Sequence, residues 1–380
     1  MKVLHVITGL DVGGAEIQLA MLLKYSRHDC EVVTLYNPGP VADQIRASGV
    51  SVRDLAMHRN TSLSALPRLR SIMAAGRYDV VHAHLYRSQI YARPAAKLAG
   101  VPVVVTTEHS IGDTHIERRK MTNGVRGLYL ASEFFSDTTI AVSDVVRERL
   151  VNWGVRARKI TVVPNGLDTD ALAFDPAARE RVRARFGIPA GTYVIGLLGR
   201  LDPNKRIDLA IEAAVPVLGD SCRILLIGRG EDQARIEAAV ARLRVGEHVI
   251  FGGFQQDTAA MMSAFDLYLA TSLQETFGLS VLEAVANGLP VLYTTCPALD
   301  GITTGQARQV AGTVEALGAE IRKAVEAGPQ PREPDGAVFE RYSMESVAGQ
   351  IDDLYERIMA SRPRQGAARR GRRPRQIEHR

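Results

Sequence analysis

Short apolar runs rich in valine and isoleucine recur along the chain at 3–7, 30–35, 78–84, 101–107, 138–142 and 159–163, and again at 193–198, 223–227, 248–251, 267–270 and 290–293. Runs this continuous suit strands buried on both faces of a parallel sheet, where an alternating pattern would suit a sheet with one wet face. Between them, 15–24, 65–75, 88–98, 144–152 and 179–185 read as helices. Strand and helix in alternation leave few architectures open, and the leading one is the doubly wound α/β sheet. The pattern pauses at Pro164-Asn165-Gly166, a turn signal, and then restarts. The expectation is two Rossmann-like lobes, 1–170 and 171–343, facing each other across a cleft. Length agrees, because 380 residues exceed what one core serves at about 150 residues per domain. Ligands of open α/β sheets bind beyond the carboxyl ends of the strands, so chemistry is sought there.

After the second lobe, 344–359 carries Val347, Ile351, Leu354, Tyr355 and Ile358 on one helical face, which predicts a helix (344–361) packing back on the body. Residues 362–380 hold eight arginines against one glutamate, a local +7 within a net +5, which leaves the other 361 residues at −2. The body is therefore no nucleic-acid surface by composition, and the tail, unable to bury a core, is expected to be disordered. Arginines without interleaved aromatics offer weak, salt-sensitive contact with an anionic membrane and no specific nucleic-acid binding. Cys30, Cys222 and Cys296 lie too far apart for a disulfide framework or a structural zinc site, which suits a reducing cytoplasm. There is neither a signal-peptide pattern at Met1 nor a run of apolar residues long enough to span a bilayer. Localisation is expected to be cytoplasmic, at most peripheral at the inner face of a membrane, and the arginine- and alanine-rich composition suggests a bacterial source.

Three constellations carry chemistry. Gly9-Leu-Asp-Val-Gly13-Gly14-Ala-Glu16 follows the first strand and opens a helix. Paired glycines there let backbone amides approach an anion at a helix N-terminus, although a merely tight connection fits as well. Gly199-Arg200-Leu-Asp-Pro-Asn-Lys205 follows the first strand of the second lobe; its two cations can converge on a diphosphate or simply face solvent. Glu275-Thr-Phe277-Gly278-Leu279-Ser-Val-Leu-Glu283 is the most specific. Gly278 marks a helix start, the amides of Phe277, Gly278 and Leu279 point at any bound anion, and the two glutamates suit vicinal hydroxyls, a sugar at one end and a ribose at the other. The plainer alternative is a capping glutamate and an exposed one.

Together these motifs, with Pro164-Asn165-Gly166-Leu-Asp168 between the lobes, resemble glycosyltransferase family four, a retaining family of GT-B fold, over about residues 1–361. The resemblance implies an enzyme that moves a sugar from a nucleotide diphosphate sugar, UDP- or GDP-linked, to an acceptor hydroxyl. It implies that Arg200 and Lys205 hold the diphosphate, Glu283 the ribose, Glu275 a hydroxyl of the transferred sugar, and Gly13 and Gly14 the donor from the other lobe. It also implies that His109, in Thr-Thr-Glu108-His109-Ser110, is the active-site histidine. Same-face attack with the leaving phosphate as base needs no protein nucleophile, no cofactor beyond the donor and no metal, and no Asp-x-Asp metal pair is expected. One segment departs from the family pattern: Thr294-Thr-Cys296-Pro-Ala-Leu-Asp300-Gly301 stands where a glycine-rich loop and a glutamate are usual.

His82 and His84, alternate on a strand, face the same way and make a paired metal site conceivable, but no further ligand cluster accompanies them. The acceptor site is expected in first-lobe loops at 86–91 and 111–124, where Arg118, Arg119 and Lys120 suit an acidic acceptor. A polysaccharide or lipid-linked intermediate and a secondary metabolite both remain open. So do a GT-B phosphorylase acting on sugar phosphates and a non-catalytic anion-binding protein.

Overall fold

A computed structural model describes residues 1–57, 62, 64–117, 119–333 and 335–362. Its strands run β1 Lys2–Ile7, β2 Asp29–Thr34, β3 Ser51–Asp54, β4 Val80–His84, β5 Val103–Glu108, β6 His115–Ile116, β7 Arg119–Lys120, β8 Thr138–Ala141 and β9 Ile160–Val162. The series continues with β10 Tyr193–Leu198, β11 Cys222–Ile227, β12 Val249–Gly253, β13 Leu267–Ala270, β14 Val291–Tyr293 and β15 Ala307–Gln309. One sheet has the order β3-β2-β1-β4-β5-β8-β9 and the other β12-β11-β10-β13-β14-β15, with parallel pairing throughout both. Every residue of β4 and β5 is buried, as in strands covered on both faces of a parallel sheet; both begin with valines and end in buried polar residues, His82 and His84 in β4 and Thr106, Thr107 and Glu108 in β5.

Strand order reverses between β1 and β4 in the first sheet and between β10 and β13 in the second. Loops leaving adjacent strands there diverge to opposite faces and open a crevice at the carboxyl ends. Ile7 pairs with His84 at the first crevice, and the turn 199–205 leaves β10 at the second. Beyond the core of each sheet, one apolar cluster is shared between the lobes, joining Tyr86, Ile111, Val142 and Trp153 to Leu225, Phe277, Leu282 and Val285.

The last helix, Met344–Ala360, packs on the first sheet rather than on the lobe that precedes it. Val347, Ile351, Leu354 and Tyr355 join the core around β1, β4 and the helix Gly14–Tyr25, while Ile358 is partly buried against it. Buried Asp352 anchors the contact by accepting from Ser26 Oγ (2.9 Å) and Arg27 N (2.8 Å). The chain thus crosses between lobes twice, and the crossings are joined: Leu167 N donates to Tyr342 O (2.7 Å) and Met344 N to Leu167 O (2.9 Å). Gly166 is required here, because a Cβ would lie 2.4 Å from Met344 Sδ.

Two expectations need correction. Residues 86–91 are not a loop: they open the helix Tyr86–Ala99, and Tyr86 is buried against Tyr129 with ring centroids 6.0 Å apart. Arg362, assigned to the disordered tail, pairs with Asp137 at 2.5 Å. The remainder of the tail, 363–380, and Arg118 of the basic loop lie outside the described residues. Among the described residues no helix is long and apolar enough to cross a membrane.

Candidate active site

The second-lobe half of the site is built at the ends of β10 and β13. Gly199, at φ +143°, turns the chain out of β10, and Gly228 beyond β11 permits the turn, since a Cβ there would lie 1.8 Å from Gly199 O. Arg200 and Lys205 follow, in a turn whose start Asp202 caps by accepting from Asn204 N (3.0 Å). Asn204 then ties this turn to the loop after β13, its Nδ2 donating to Gln274 O (2.9 Å) and its Oδ1 accepting from Gln274 N (3.1 Å). Thr271 Oγ1 adds a bond to Lys205 O (2.8 Å).

These ties bring Lys205 Nζ to 2.7 Å from Glu275 Oε1. Burial alone would lower the Lys205 ammonium, but the charge and hydrogen bond of Glu275 outweigh it and hold the lysine above its ordinary value. The pair is a preformed charge site rather than two solvated side chains. Gly199, Arg200, Lys205, Tyr268, Ser272 and Ser280 line one cavity beside it.

Gly278, at φ +99°, precedes the helix Leu279–Ala286, and no side chain caps that N-terminus. A Cβ at Gly278 would lie 2.5 Å from Cys296 Sγ, so position 278 needs glycine for both its backbone and its neighbour. The unusual 294–301 segment is therefore part of the motif's support: Ala298 N donates to Phe277 O (2.9 Å), and Thr294 Oγ1 to Ser272 O (2.6 Å). Phe277 itself is a core residue, 3% exposed and edge-on to Tyr342, so its side chain serves packing rather than ligand contact. Glu283, within the helix, has its carboxyl pushed up to about 7 by burial.

The first lobe reaches this motif directly. A Cβ on Gly14 would lie 3.2 Å from Leu279 Cδ1, so the glycine turn sits against the start of the second-lobe helix. Glu16 folds back on Gly13 and is raised to about 7 by burial, partly opposed by a hydrogen bond to its own backbone and by the charge of Arg200. Ser143 Oγ donates to Thr276 O (2.6 Å), and Arg149 donates to Glu275 O (3.2 Å), Gln274 Oε1 (3.3 Å) and Asp113 Oδ1 (3.0 Å). Ser143, Arg149, Asn204 and Gln274 were not legible as site residues, because their partners lie far off in sequence.

His109 leaves β5 half-buried, its Nε2 3.3 Å from His84 Nδ1, and burial holds its pKa down at about 4. With His82, His84, Gln18 and Asn165 it lines a second cavity. Three residues on, a Cβ at Gly112 would touch Gln274 Oε1 at 3.2 Å, so the strand-end loop carrying His109 leads straight to the glutamate motif. His82 and His84 do have a third companion, His5 from β1, with nitrogens of all three within 4.8 Å of one another. The sequence does contain one Asp-x-Asp, Asp168 and Asp170. It lies in the connection between lobes, where Asp168 is held by Lys24 (2.8 Å) and Asp170 opens a short turn. Of the basic loop, Arg119 and Lys120 form β7, and Arg119 sits 5.7 Å over the Tyr86 ring.

Known proteins resemble this chain in sequence and fold. Residues 12–171 match the family Glycosyltransferase Family 4 and residues 178–335 match Glycosyl transferases group 1. The D-inositol 3-phosphate glycosyltransferase of Acidothermus cellulolyticus is 28% identical over 334 residues, covering 77% of this chain and 72% of that one. The 2-deoxystreptamine glucosyltransferase of Streptomyces kanamyceticus is 33% identical over 228 residues, 56% of this chain and 58% of that one. Anabaena HepE, solved in complex with UDP-glucose, superposes with a TM-score of 0.81 at 22% identity, over 94% of this chain and all of that one. The fold is GT-B, and the chain belongs to glycosyltransferase family 4 as a glycosyltransferase.

Proposed function

We propose that the chain moves a sugar, with retention of configuration, from a nucleoside diphosphate sugar to an acceptor hydroxyl. The observation that carries this reading is the Lys205–Glu275 pair at 2.7 Å, set beside Arg200 and an uncapped helix start at Gly278. Departure of the nucleotide builds negative charge on the diphosphate and positive charge on the anomeric carbon. Cations and amides already fixed around the phosphate stabilise that charge without reorganising, which is the largest contribution such a site makes. In this reading Arg200 and Lys205 hold the diphosphate, with the backbone of 277–279 completing its shell. Glu275, oriented by Lys205, takes a hydroxyl of the transferred sugar, and Glu283 takes the ribose. Gly13 and Gly14 close over the donor, and His109 lies near the transferred sugar. The departing phosphate is the base for the acceptor hydroxyl, and donor and acceptor react without a further cofactor.

The relatives act on unlike acceptors by name, an inositol phosphate and an aminocyclitol, so the acceptor class stays open between a polysaccharide or lipid-linked intermediate and a secondary metabolite. HepE with UDP-glucose favours a uridine donor, with GDP-linked sugars next. We place the enzyme in a bacterial cytoplasm, with its arginine tail available to an anionic membrane face.

Calorimetric titration with UDP, GDP, ADP, TDP and their sugar conjugates tests the reading. Selective binding of one nucleotide that is lost in Glu283→Ala is the expected result. Failure of every nucleotide to bind would reject the donor site and turn the search to sugar phosphates.

A further inference from the structure

The floor of the first-lobe crevice is a stack of imidazoles. Parallel register sets His5 of β1 beside His82 of β4, and His84 lies two residues on, on the same face. The core beneath that face is mostly aliphatic, with Thr107 beside His82, and the three histidines are 1, 0 and 2% exposed. His5 Nδ1 is 3.1 Å from His84 Nε2, and His84 Nδ1 is 3.3 Å from His109 Nε2. The rings lie close to parallel along this line, at 24° and 27°. Only His109, at the end of the row, reaches the surface.

A metal held by His5, His82 and His84 is the first alternative. Both nitrogens of His82 are already engaged, Nδ1 with Tyr355 Oη and Nε2 with Thr107 Oγ1, each at 2.6 Å. That leaves His5 and His84 facing each other at N–H···N spacing, too few ligands for a closed site. Because hydroxyls donate or accept as required, His82 places no constraint on the protons of the row.

We propose that His84 is a positioning residue for sugar transfer: backed by His5, it holds His109 in one neutral tautomer whose Nδ1 proton is offered to the cleft. The proposal rests on the reading of His109 as a residue of the site. Burial keeps the rings neutral, with His5 down at about 3, His109 at about 4 and His84 well below its usual value. Each ring then carries one proton, and each of the two contacts needs one between its nitrogens. The remaining proton sits at one end of the row, on His5 Nε2 or on His109 Nδ1. His5 Nε2 is buried and has no hydrogen-bond partner. A buried N–H without an acceptor is the rarer and costlier defect, and a bare ring nitrogen the milder one. The proton therefore goes to the cleft end: His5 donates to His84, His84 donates to His109, and His109 keeps Nδ1–H for a substrate oxygen.

Protein labelled with nitrogen-15 in its histidine rings reads this directly, since protonated and bare ring nitrogens differ widely in shift; the His109 signals are assigned by their loss in His109→Gln. The wild type is expected to show His109 protonated at Nδ1. In His84→Phe the Nε2 form should appear, with kcat lowered about tenfold, the scale of a lost orienting partner, and donor KM unchanged. His84→Gln, whose amide can donate to His109 Nε2, should restore the Nδ1 form and much of kcat. Nε2 protonation of His109 in the wild type, or an unaltered tautomer in His84→Phe, would overturn the proposal. Stoichiometric zinc uptake that His5→Phe abolishes would do the same. If His84→Phe does not fold, the wild-type spectrum decides alone. The tautomer is read without turnover, so full activity in His109→Ala would remove His109 from the mechanism and leave the tautomer result standing.

Discussion

At the ends of its central strands the second lobe carries full charges held in pairs, while the first lobe carries neutral rings held in a row. Lys205 and Glu275 meet at 2.7 Å at the mouth of one crevice, and His109, His84 and His5 run inward from the other. Burial acts on both sets, and the outcomes differ because of what stands next to each group. Glu275 keeps Lys205 charged despite desolvation, whereas no carboxylate is hydrogen-bonded to any ring of the row among the described residues, so desolvation strips their protons. A diphosphate requires fixed positive charge, and a neutral sugar requires hydrogen-bonding groups that attract no ions. In the proposed reading, where Lys205 meets the diphosphate and His109 lies near the transferred sugar, the contrast follows from which buried groups have a counter-charge.

The largest expected effect breaks the charged side. Lys205→Ala removes the cation and leaves Glu275 without its partner, and should cost about 1.5–3 kcal/mol in donor kcat/KM, roughly 10- to 150-fold, the scale of a charge-assisted hydrogen bond. Steady-state kinetics at varied donor concentration checks it, and an unchanged value would move the diphosphate elsewhere.

A second test uses pH. Glu283 in the folded chain holds its proton up to about 7, against an ordinary 4.5. Between those values the folded state binds a proton the unfolded state has released. This stabilisation is complete below 4.5 and is lost as pH rises through 7. The histidine row runs the other way, its contribution being present above 6.5 and lost as pH falls toward 4 and then 3. Urea unfolding of wild type and Glu283→Gln between about pH 5 and pH 8 should show the wild type losing ground to the variant by about 3 kcal/mol at most. A constant difference would mean that Glu283 is ionised throughout. Glu16 and Glu108 titrate in the same window, so only the difference between the two proteins is diagnostic.

The smallest effect sharpens the comparison by testing the support under the charged motif. Gly278→Ala forces a side chain into φ +99° and against Cys296 Sγ, and should lower stability by about 1–3 kcal/mol in thermal unfolding. Adding Cys296→Ala should return the part owed to the clash and not the part owed to the backbone. Full recovery would show that the backbone at 278 carries no strain.

What was legible followed from local chemistry. Central strands such as β10 and β11 announce themselves because burial on both faces favours nearly continuous apolar residues. The edge strands β3, Ser-Val-Arg-Asp, and β15, Ala-Arg-Gln, are half exposed and carry no such mark. Likewise the glycine turn, the Arg200–Lys205 pair and the 275–283 motif are contiguous strand-end segments, so they could be named as candidates from spacing, while a tight turn and solvent-facing charges stayed open beside them. Arg149 could not be found this way, since its meaning depends on Gln274 and Glu275 across the cleft. The histidine row was half visible: period two puts His82 and His84 together, but only the register of β1 against β4 delivers His5.

The paired crossings at Leu167 and at Tyr342–Met344 have a mechanical consequence. Because the final helix is anchored on the first lobe, the lobes are joined by two backbone segments lying side by side and hydrogen-bonded to each other. A doubled connection of this kind acts as a hinge with a preferred axis: it bends like a strap but resists twisting and shear, which would break those bonds. Gly14 and Leu279, Ser143 and Thr276, Arg149 and Gln274 would then part and meet again in the same register on every opening, so that each incoming substrate finds the two halves of the site aligned by the chain itself.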